Sequence, residues 1–290
     1  MDINNDSLAS ILAISSGFLF ALSIQIQNLG LQDIDSRTGA VISILATTVV
    51  YWMAAPFLIE SSYWLESGTV WFALVGLFRP ALSANFAMTS IRYMGPTLTS
   101  AIASTNPIFG AFFAIFVLGE ILTFPIAIGT VVVILGIVIG SMKTRKFDRG
   151  WPIWAISFPL GAAFFRAAGH PLTIIGYETV SSPFFAGLVS YSISLIVSLT
   201  AYKTEGRKIP KLSRSYGWFI ISGLINGFSL YLLNYALGVG QLLSVSPIVA
   251  CSPVFTMILG LLIFKKEVFN LRIVLSLGFV VVGVILVILY

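Results

Sequence analysis

The stretch Asn106-Pro107-Ile108-Phe109 and the stretch Ser252-Pro253-Val254-Phe255 decide the fold, because the second repeats the first about half a chain later. Each stretch stands inside a long apolar segment that ends at an acidic turn, Leu118-Gly119-Glu120 in one copy and Lys265-Lys266-Glu267 in the other. Self-similarity at a fixed offset is the sequence signature of a duplicated architecture.

Glycines mark the same repeat, whose offset is 146 residues for the proline blocks and 147 residues for the glycines. Gly136 and Gly283 each follow the acidic residue of the turn by sixteen positions. Further upstream, Gly76-Leu77 and Gly223-Leu224 occupy matching places in earlier apolar segments. The duplication therefore extends over both halves of the chain.

Composition places the chain in a membrane. Apolar residues make up 58% of the 290 residues and charged residues only 9%, whereas a soluble domain carries about 25% charged residues. The apolar runs are long and do not alternate in polarity as the strands of a barrel do, so we predict an all-α integral membrane protein. Ten spans are predicted, at 8–29, 37–59, 68–92, 96–118, 122–142, 151–173, 182–202, 215–237, 241–264 and 269–290.

Five spans in each copy is an odd number, so the second copy must insert upside down relative to the first. We therefore predict two inverted five-helix repeats, residues 1–146 and 147–290. Secondary transporters with this plan bind a small-molecule substrate near the midplane, between the halves.

Basic residues divide unevenly across the predicted topology. Fourteen of the sixteen Lys and Arg residues fall on one side, none falls on the other, and Arg79 and Arg166 lie inside spans. The positive-inside rule places the fourteen in the cytoplasm. Both termini are thus predicted on the outer side of a bacterial cytoplasmic membrane. The topology accounts for the pI of 9.4, so membrane lipid is an expected partner and nucleic acid is not.

The duplicated N-P-I-F…L-G-E and S-P-V-F…K-K-E blocks resemble the EamA-type repeats of the drug/metabolite transporter superfamily, over essentially the whole chain. The resemblance implies ten helices in two inverted repeats. Members of this size with many Phe residues include the bacterial YddG-type exporters of amino acids, aromatic ones among them. The resemblance thus implies amino-acid export as the function.

Arg79 is the sharpest candidate for substrate binding. It lies about eleven residues into the third span, close to the midplane, where a charged side chain must face protein or a wet cavity. Pro80 follows it and cannot donate a backbone hydrogen bond. Two interpretations stay open: a cation for a substrate carboxylate, or a strut bonded to helix-end carbonyls.

Arg166 and His170 form an i, i+4 pair on one face of the sixth span, predicted in its outer half. Arg166 either extends outward to the membrane surface or lines the outward mouth of a cavity. His170 could titrate near neutral pH and couple protons, or could cap a helix broken at Pro171.

Polar residues of the third span and of its repeat partner, the eighth span, are expected to line the pathway. Asn85 lies one and a half turns beyond Arg79. The eighth span offers Asn226, Tyr231 and Asn234. Such side chains in a helix bundle usually face protein, whether or not they bind substrate.

The fourth and ninth spans repeat a proline, Pro107 and Pro253, with Pro247 in addition. As interior prolines, each would leave a carbonyl without its usual partner. We predict a hinge or a cavity wall at these positions, with a static kink as the alternative. The polar residues predicted to satisfy the freed carbonyls are Ser104, Thr105, Asn106, Ser246 and Ser252.

The remaining function classes lack sequence support. Cys251 is the single cysteine and His170 the single histidine, so neither a metal site nor a cofactor is predicted. The chain has no Walker A motif, no H-E-x-x-H and no G-x-S-x-G, which argues against ATP-driven transport and against an enzyme. A channel fits poorly because no ring of charges is apparent.

The leading hypothesis is a secondary exporter of small metabolites that works by alternating access, with amino acids as substrates. The alternatives are an exporter of lipophilic drugs or of another metabolite class. Gly136–Gly140 forms a small-xxx-small motif that is more typical of packing within one chain than of a dimer. We therefore predict a monomer or a weak dimer.

Overall fold

The computed structural model describes residues 3–31, 33–83, 86, 87, 89, 90, 93, 102, 105–141, 152–206, 213–263 and 271–289. The regular structure of these residues is helical. Helices suit apolar segments because every backbone N–H and C=O is satisfied within the segment. Among the described residues, five helical segments are long and apolar enough to cross a membrane, one of them the stretch Leu242–Leu262, and four shorter helices are also apolar.

Both halves of the chain contribute helices in the predicted order. The described helices of the first half are α1 (Ile3–Gly30), α2 (Ser36–Leu58), α3 (Gly68–Gly76), α4 (Asn106–Leu118) and α5 (Phe124–Ser141). Those of the second half are α6 (Ser157–Tyr177), α7 (Pro183–Thr204), α8 (Ser215–Val239), α9 (Leu242–Val249), α10 (Ser252–Leu262) and α11 (Leu271–Leu289). Each of the ten predicted spans contains at least one of these helices.

The helices of the two halves pack against each other in matched pairs. Helix α1 packs on α8, and its counterpart α6 packs on α3. Helix α2 contacts α8 as α7 contacts α3, while α5 and α11 pack on each other. When each helix is replaced by its counterpart in the other half, every contact named here becomes another contact that the structure also contains. This is expected for two inverted repeats.

A ladder of side-chain hydrogen bonds reproduces this relation at the level of single atoms. On α2, the hydroxyls of Ser43 and Thr47 donate to the carbonyls of Phe219 and Gly223 on α8. At positions 147 residues away, the hydroxyls of Ser190 and Ser194 on α7 donate to the carbonyls of Phe72 and Gly76 on α3. Serine and threonine side chains are short, so helices that meet at these residues approach closely and form hydrogen bonds across the contact.

Glycines and a serine join α5 to α11 with the same symmetry. A Cβ at Gly129 would lie 2.8 Å from the carbonyl oxygen of Gly283, and the hydroxyl of Ser276 donates to the carbonyl of Gly136 at 2.6 Å. Positions 129 and 276, like 136 and 283, are 147 residues apart. The glycines that mark the repeat in the sequence are therefore residues at which two backbones meet.

The turn before α5 ties the two repeats together. Gly119 ends the preceding helix in a left-handed conformation, with φ 69°, which glycine adopts without steric cost. Glu120 then directs its carboxylate at the start of α9, where Oε1 and Oε2 accept the backbone N–H groups of Leu242 and Leu243 at 2.7 and 2.8 Å. A carboxylate at this place satisfies free N–H groups and complements the helix dipole.

We expect the substitution Glu120→Ala to destabilise the protein by about 1–2 kcal/mol, since two buried N–H groups lose their acceptor. The midpoint of thermal unfolding in detergent should fall by several degrees. The matched control is Glu66→Ala, because Glu66 is exposed and its side chain caps no described helix. Equal unfolding midpoints for the two variants would contradict a stabilising role for the Glu120 cap.

Candidate functional site

The third span is broken directly after α3, and the break contains Arg79. Helix α3 continues into one wider turn, Leu77–Leu82, in which Arg79 has an extended backbone with φ −137° and ψ 119°. Pro80 favours this break because it lacks an N–H group and disfavours a helical residue before it. Ser194 donates to the carbonyl oxygens of Gly76 and Arg79 at 2.6 and 3.3 Å, which satisfies groups that the break leaves free.

The guanidinium of Arg79 is buried and only partly paired. The residue is 8% exposed, and its Nη1 lies 3.1 Å from Nδ1 of His170. Its Nε and Nη2 are buried without a hydrogen-bond partner among the described residues. Because Ser194 bonds the freed carbonyls, the guanidinium is not needed as a strut. The geometry favours a cation that is available to an anionic group.

His170 lies inside the continuous helix α6, and Pro171 follows it in the same helix. The hypothesis that His170 caps a broken helix end is therefore wrong. A guanidinium has only donors, so Nδ1 of His170 accepts the bond with its lone pair, and the neutral ring carries its proton on Nε2. Gly169 lies beside the pair, and a Cβ there would be 3.5 Å from Nε of Arg79.

Arg166 lies one turn before His170 on α6 and is exposed. Its neighbours one turn away in both directions are buried, namely Ala162, Ala163, Gly169 and His170. A residue on a lipid-facing stripe would have exposed neighbours at these spacings. The pattern therefore favours the interpretation that Arg166 lines an internal, water-accessible space, and its positive charge reaches both Arg79 and His170.

Two tyrosines that were not predicted as site residues lie within electrostatic reach of this charge, and a third lies near them. Tyr177 on α6 and Tyr191 on α7 lie within electrostatic reach of Arg79, and Tyr51 on α2 lies within reach of both tyrosines. The ring of Tyr51 is stacked on Phe184 and on Tyr191, with centroid distances of 4.8 and 5.8 Å. Together these residues form a polar, aromatic cluster from three helices, and two of its tyrosines lie within electrostatic reach of the arginine.

The structure places Asn226 at the edge of this cluster. Its Nδ2 donates to the hydroxyl oxygen of Tyr191 at 3.3 Å. Asn226 follows Arg79 by 147 residues, so it occupies the equivalent position in the second repeat. The two predicted site residues are therefore related by the symmetry of the fold, and Tyr191 is near both.

The other predicted lining residues lie farther along α8 or outside the described part of the chain. The backbone carbonyl of Asn234 accepts from the Tyr177 hydroxyl at 3.0 Å, and its side chain is buried. Tyr231 is half-buried and stacks on Phe228 with a centroid distance of 6.2 Å. No described contact joins Asn234 or Tyr231 directly to Arg79. Asn85 lies outside the described residues.

The prolines of the fourth and ninth spans differ from the prediction. Pro107 and Pro253 occupy the first turns of α4 and α10, where a proline leaves no carbonyl without a partner. The expectation that they are interior prolines is wrong for both. Pro247 does lie inside α9. The ninth span is divided at residues 250–251, between α9 and α10, and a hinge or cavity wall there stays a prediction.

Of the polar residues predicted to satisfy freed carbonyls, Thr105 donates its hydroxyl to the carbonyl of Ile102 at 2.8 Å, and the other described ones do not donate to a carbonyl. Asn106 Oδ1 and Ser246 Oγ are buried without a hydrogen-bond partner among the described residues. A Cβ at Gly110 would clash with the side chain of Ser246, so α4 and α9 are in close contact there. Ser252 donates no side-chain hydrogen bond to a carbonyl in the described part, and Ser104 lies outside it.

Comparison with protein families identifies the architecture. The model of the EamA-like transporter family matches residues 7–142 and, a second time, residues 153–289. The chain belongs to the EamA-like transporter family. This membership confirms the all-α membrane fold with two repeats and about ten helices, and the drug/metabolite transporter resemblance at the level of the superfamily. An EamA-like chain is a multi-pass membrane transporter, which argues against an enzyme.

A solved structure, entitled only as the crystal structure of a protein, has the same fold as this EamA-like chain. The TM-score is 0.79 at 14% sequence identity, and the alignment covers 97% of this chain and 96% of the other. At this identity the likeness concerns the fold alone. The curated proteins contain no match to the chain.

Proposed function

We propose that this EamA-like transporter exports small carboxylate-bearing metabolites, with amino acids, including aromatic ones, as its substrates. The observation that supports this proposal is the guanidinium of Arg79, which is buried inside the bundle with two nitrogens that have no described partner. Burying a donor without an acceptor costs about 1–3 kcal/mol, more for a charged group. A carboxylate in a substrate would supply the missing acceptors, since arginine and carboxylate form paired, charge-assisted hydrogen bonds.

Aromatic residues adjacent in sequence to the two arginines suit the apolar part of such a substrate. Phe78 precedes Arg79 and Phe165 precedes Arg166, and the two rings are stacked with a centroid distance of 5.6 Å. Phe86 packs edge-on to Phe165 at 5.1 Å. Offset and edge-on aromatic contacts tolerate different apolar partners, so this wall would accept several side chains, aromatic ones included.

Alternating access would use the symmetry of the fold. The proposed units are residues 1–146 and 147–290, and exchange of their conformations would move the opening from one side of the membrane to the other. The break at residues 250–251 in the ninth span is the proposed hinge. The substrate gradient would supply the energy. The proposed setting is a bacterial cytoplasmic membrane, with both termini outside and the chain a monomer or weak dimer.

Counterflow in proteoliposomes tests this function. Vesicles that contain the purified protein are loaded with mixed unlabelled amino acids, and the uptake of labelled phenylalanine is followed. We expect saturable uptake that the internal load raises above that of unloaded vesicles, because unlabelled substrate inside competes with the labelled substrate for exit. Protein-free vesicles are the control. If active, folded protein exchanges no amino acid, the amino-acid proposal is wrong, and lipophilic drugs are the next substrates to test.

A further inference from the structure

The interior of the bundle carries positive charge without a matching acid. The chain has eleven Asp and Glu residues, and all of them fall outside the ten spans. Arg79 and Arg166 both lie within spans, and the charge of Arg166 acts on Arg79. Among the described residues, neither guanidinium has a carboxylate partner. A charge inside a membrane protein normally pairs with an opposite charge or faces a wet cavity.

The polar neighbours of Arg79 leave the charge uncompensated. His170 accepts from Arg79 at Nδ1 and is therefore not a cation, but it adds no negative charge. The hydroxyls of Tyr51 and Tyr177 donate to the backbone carbonyls of Gly227 and Asn234. The site thus presents two positive charges, and Arg166 lies one turn, about 6 Å by helix rise, from His170, the residue that Arg79 contacts.

From this charge we infer that the site prefers net-anionic carboxylates to zwitterionic amino acids of the same size, and that Arg166 is the second cationic contact. The inference rests on the proposed function and narrows its substrate class. An amino-acid zwitterion has no net charge, and its ammonium group would be repelled by both arginines. An aromatic acid that lacks the ammonium group keeps the carboxylate and removes the repulsion.

The ring of Tyr51 does not offset this repulsion. A cation binds over the open face of an aromatic ring, but Tyr51 has Phe184 stacked at 4.8 Å and Tyr191 at 5.8 Å. Asn226 on the eighth span donates a hydrogen bond from Nδ2 to the hydroxyl of Tyr191. The side chain of Asn226 is a neutral amide. Neither feature supplies negative charge for an ammonium group.

Three ligands of equal ring size test the inference by binding to the purified, full-length protein. Phenylalanine is a zwitterion, 3-phenylpropionate lacks only the ammonium group, and phenethylamine lacks only the carboxylate. Ligand-induced stabilisation in thermal unfolding gives an apparent affinity for each. We expect 3-phenylpropionate to bind about tenfold more tightly than phenylalanine, and phenethylamine not to bind.

The variant Arg166→Gln separates the role of Arg166 from that of Arg79. We expect it to reduce the preference for 3-phenylpropionate over phenylalanine to about twofold or less, whereas Arg166→Lys should retain the preference. Equal or tighter binding of phenylalanine by the wild type would overturn the inference, and so would a preference that survives Arg166→Gln. Absence of binding by every carboxylate would overturn it as well.

The two proposals fail in different ways. If labelled amino acids exchange in counterflow but phenylalanine binds better than 3-phenylpropionate, the exporter stands and the net-anion inference falls. If 3-phenylpropionate binds tightly but no amino acid exchanges, the substrates are organic anions, and the amino-acid proposal falls.

Discussion

Replacement of Arg79 by Met should strongly reduce amino-acid counterflow and at the same time raise the thermal stability of the purified protein. Methionine has a similar length but no charge, so the substrate carboxylate loses its charged donor. Charge-assisted hydrogen bonds contribute about 1.5–3 kcal/mol, so uptake at low substrate concentration should fall by about tenfold to 100-fold or more. Counterflow of labelled phenylalanine in proteoliposomes measures this loss.

Stability should change in the opposite direction, which distinguishes a binding residue from a structural one. The Nε and Nη2 atoms of Arg79 are buried without described partners, and an apolar side chain of similar volume removes that cost. An increase of about 1 kcal/mol would raise the unfolding midpoint by a few degrees. The matched control is Arg214→Met, because Arg214 is exposed at the start of α8. An Arg79→Met protein that unfolds at lower temperature, or exchanges substrate as fast as the wild type, would contradict the proposal.

Much of the fold could be predicted because the properties that specify it are local in the sequence. Apolar length defines the ten spans, and the repeated N-P-I-F and S-P-V-F blocks with an odd number of spans require inversion. The sequence also singled out Gly76, Gly136, Gly223 and Gly283 as markers of the repeat. It could not reveal that each glycine contacts the backbone or a small side chain of another helix, because that depends on the packing of distant spans.

The candidate site was only partly predictable for the same reason. Arg79 was identified from its charge and depth, but its contact with His170 joins residues 91 positions apart. Tyr51 and Tyr191 were missed, although Ser43, Thr47 and Tyr51 recur every four residues on one face of α2, a spacing that marks a helix contact. The prolines were misassigned because one sequence does not distinguish an interior proline from one that begins a new helix.

Substitution of Gly76 or Gly223 by alanine is expected to destabilise the protein strongly, and to a similar extent for both positions. A Cβ at Gly76 would lie 2.5 Å from the carbonyl oxygen of Ser190, and a Cβ at Gly223 would clash with the carbonyl of Ser43 in the same way. Both obstacles are backbone atoms that cannot rotate away, so α3 and α7, or α2 and α8, must separate. Overpacking of this kind costs about 1–3 kcal/mol.

Alanine at Gly217 and Gly278 provides the matched control, because a Cβ there meets nothing within 4 Å. Alanine is the better helix former by about 1 kcal/mol, so these variants should unfold at the same or a higher temperature than the wild type. Thermal unfolding in detergent measures all four variants. The effects at Gly76 and Gly223 can be compared directly, because the residues they meet, Ser190 and Ser43, are equivalent positions 147 residues apart in the two repeats. If alanine were tolerated at both Gly76 and Gly223, the close contacts would not stabilise the fold. If only one position were sensitive, the two halves would not contribute equally to it.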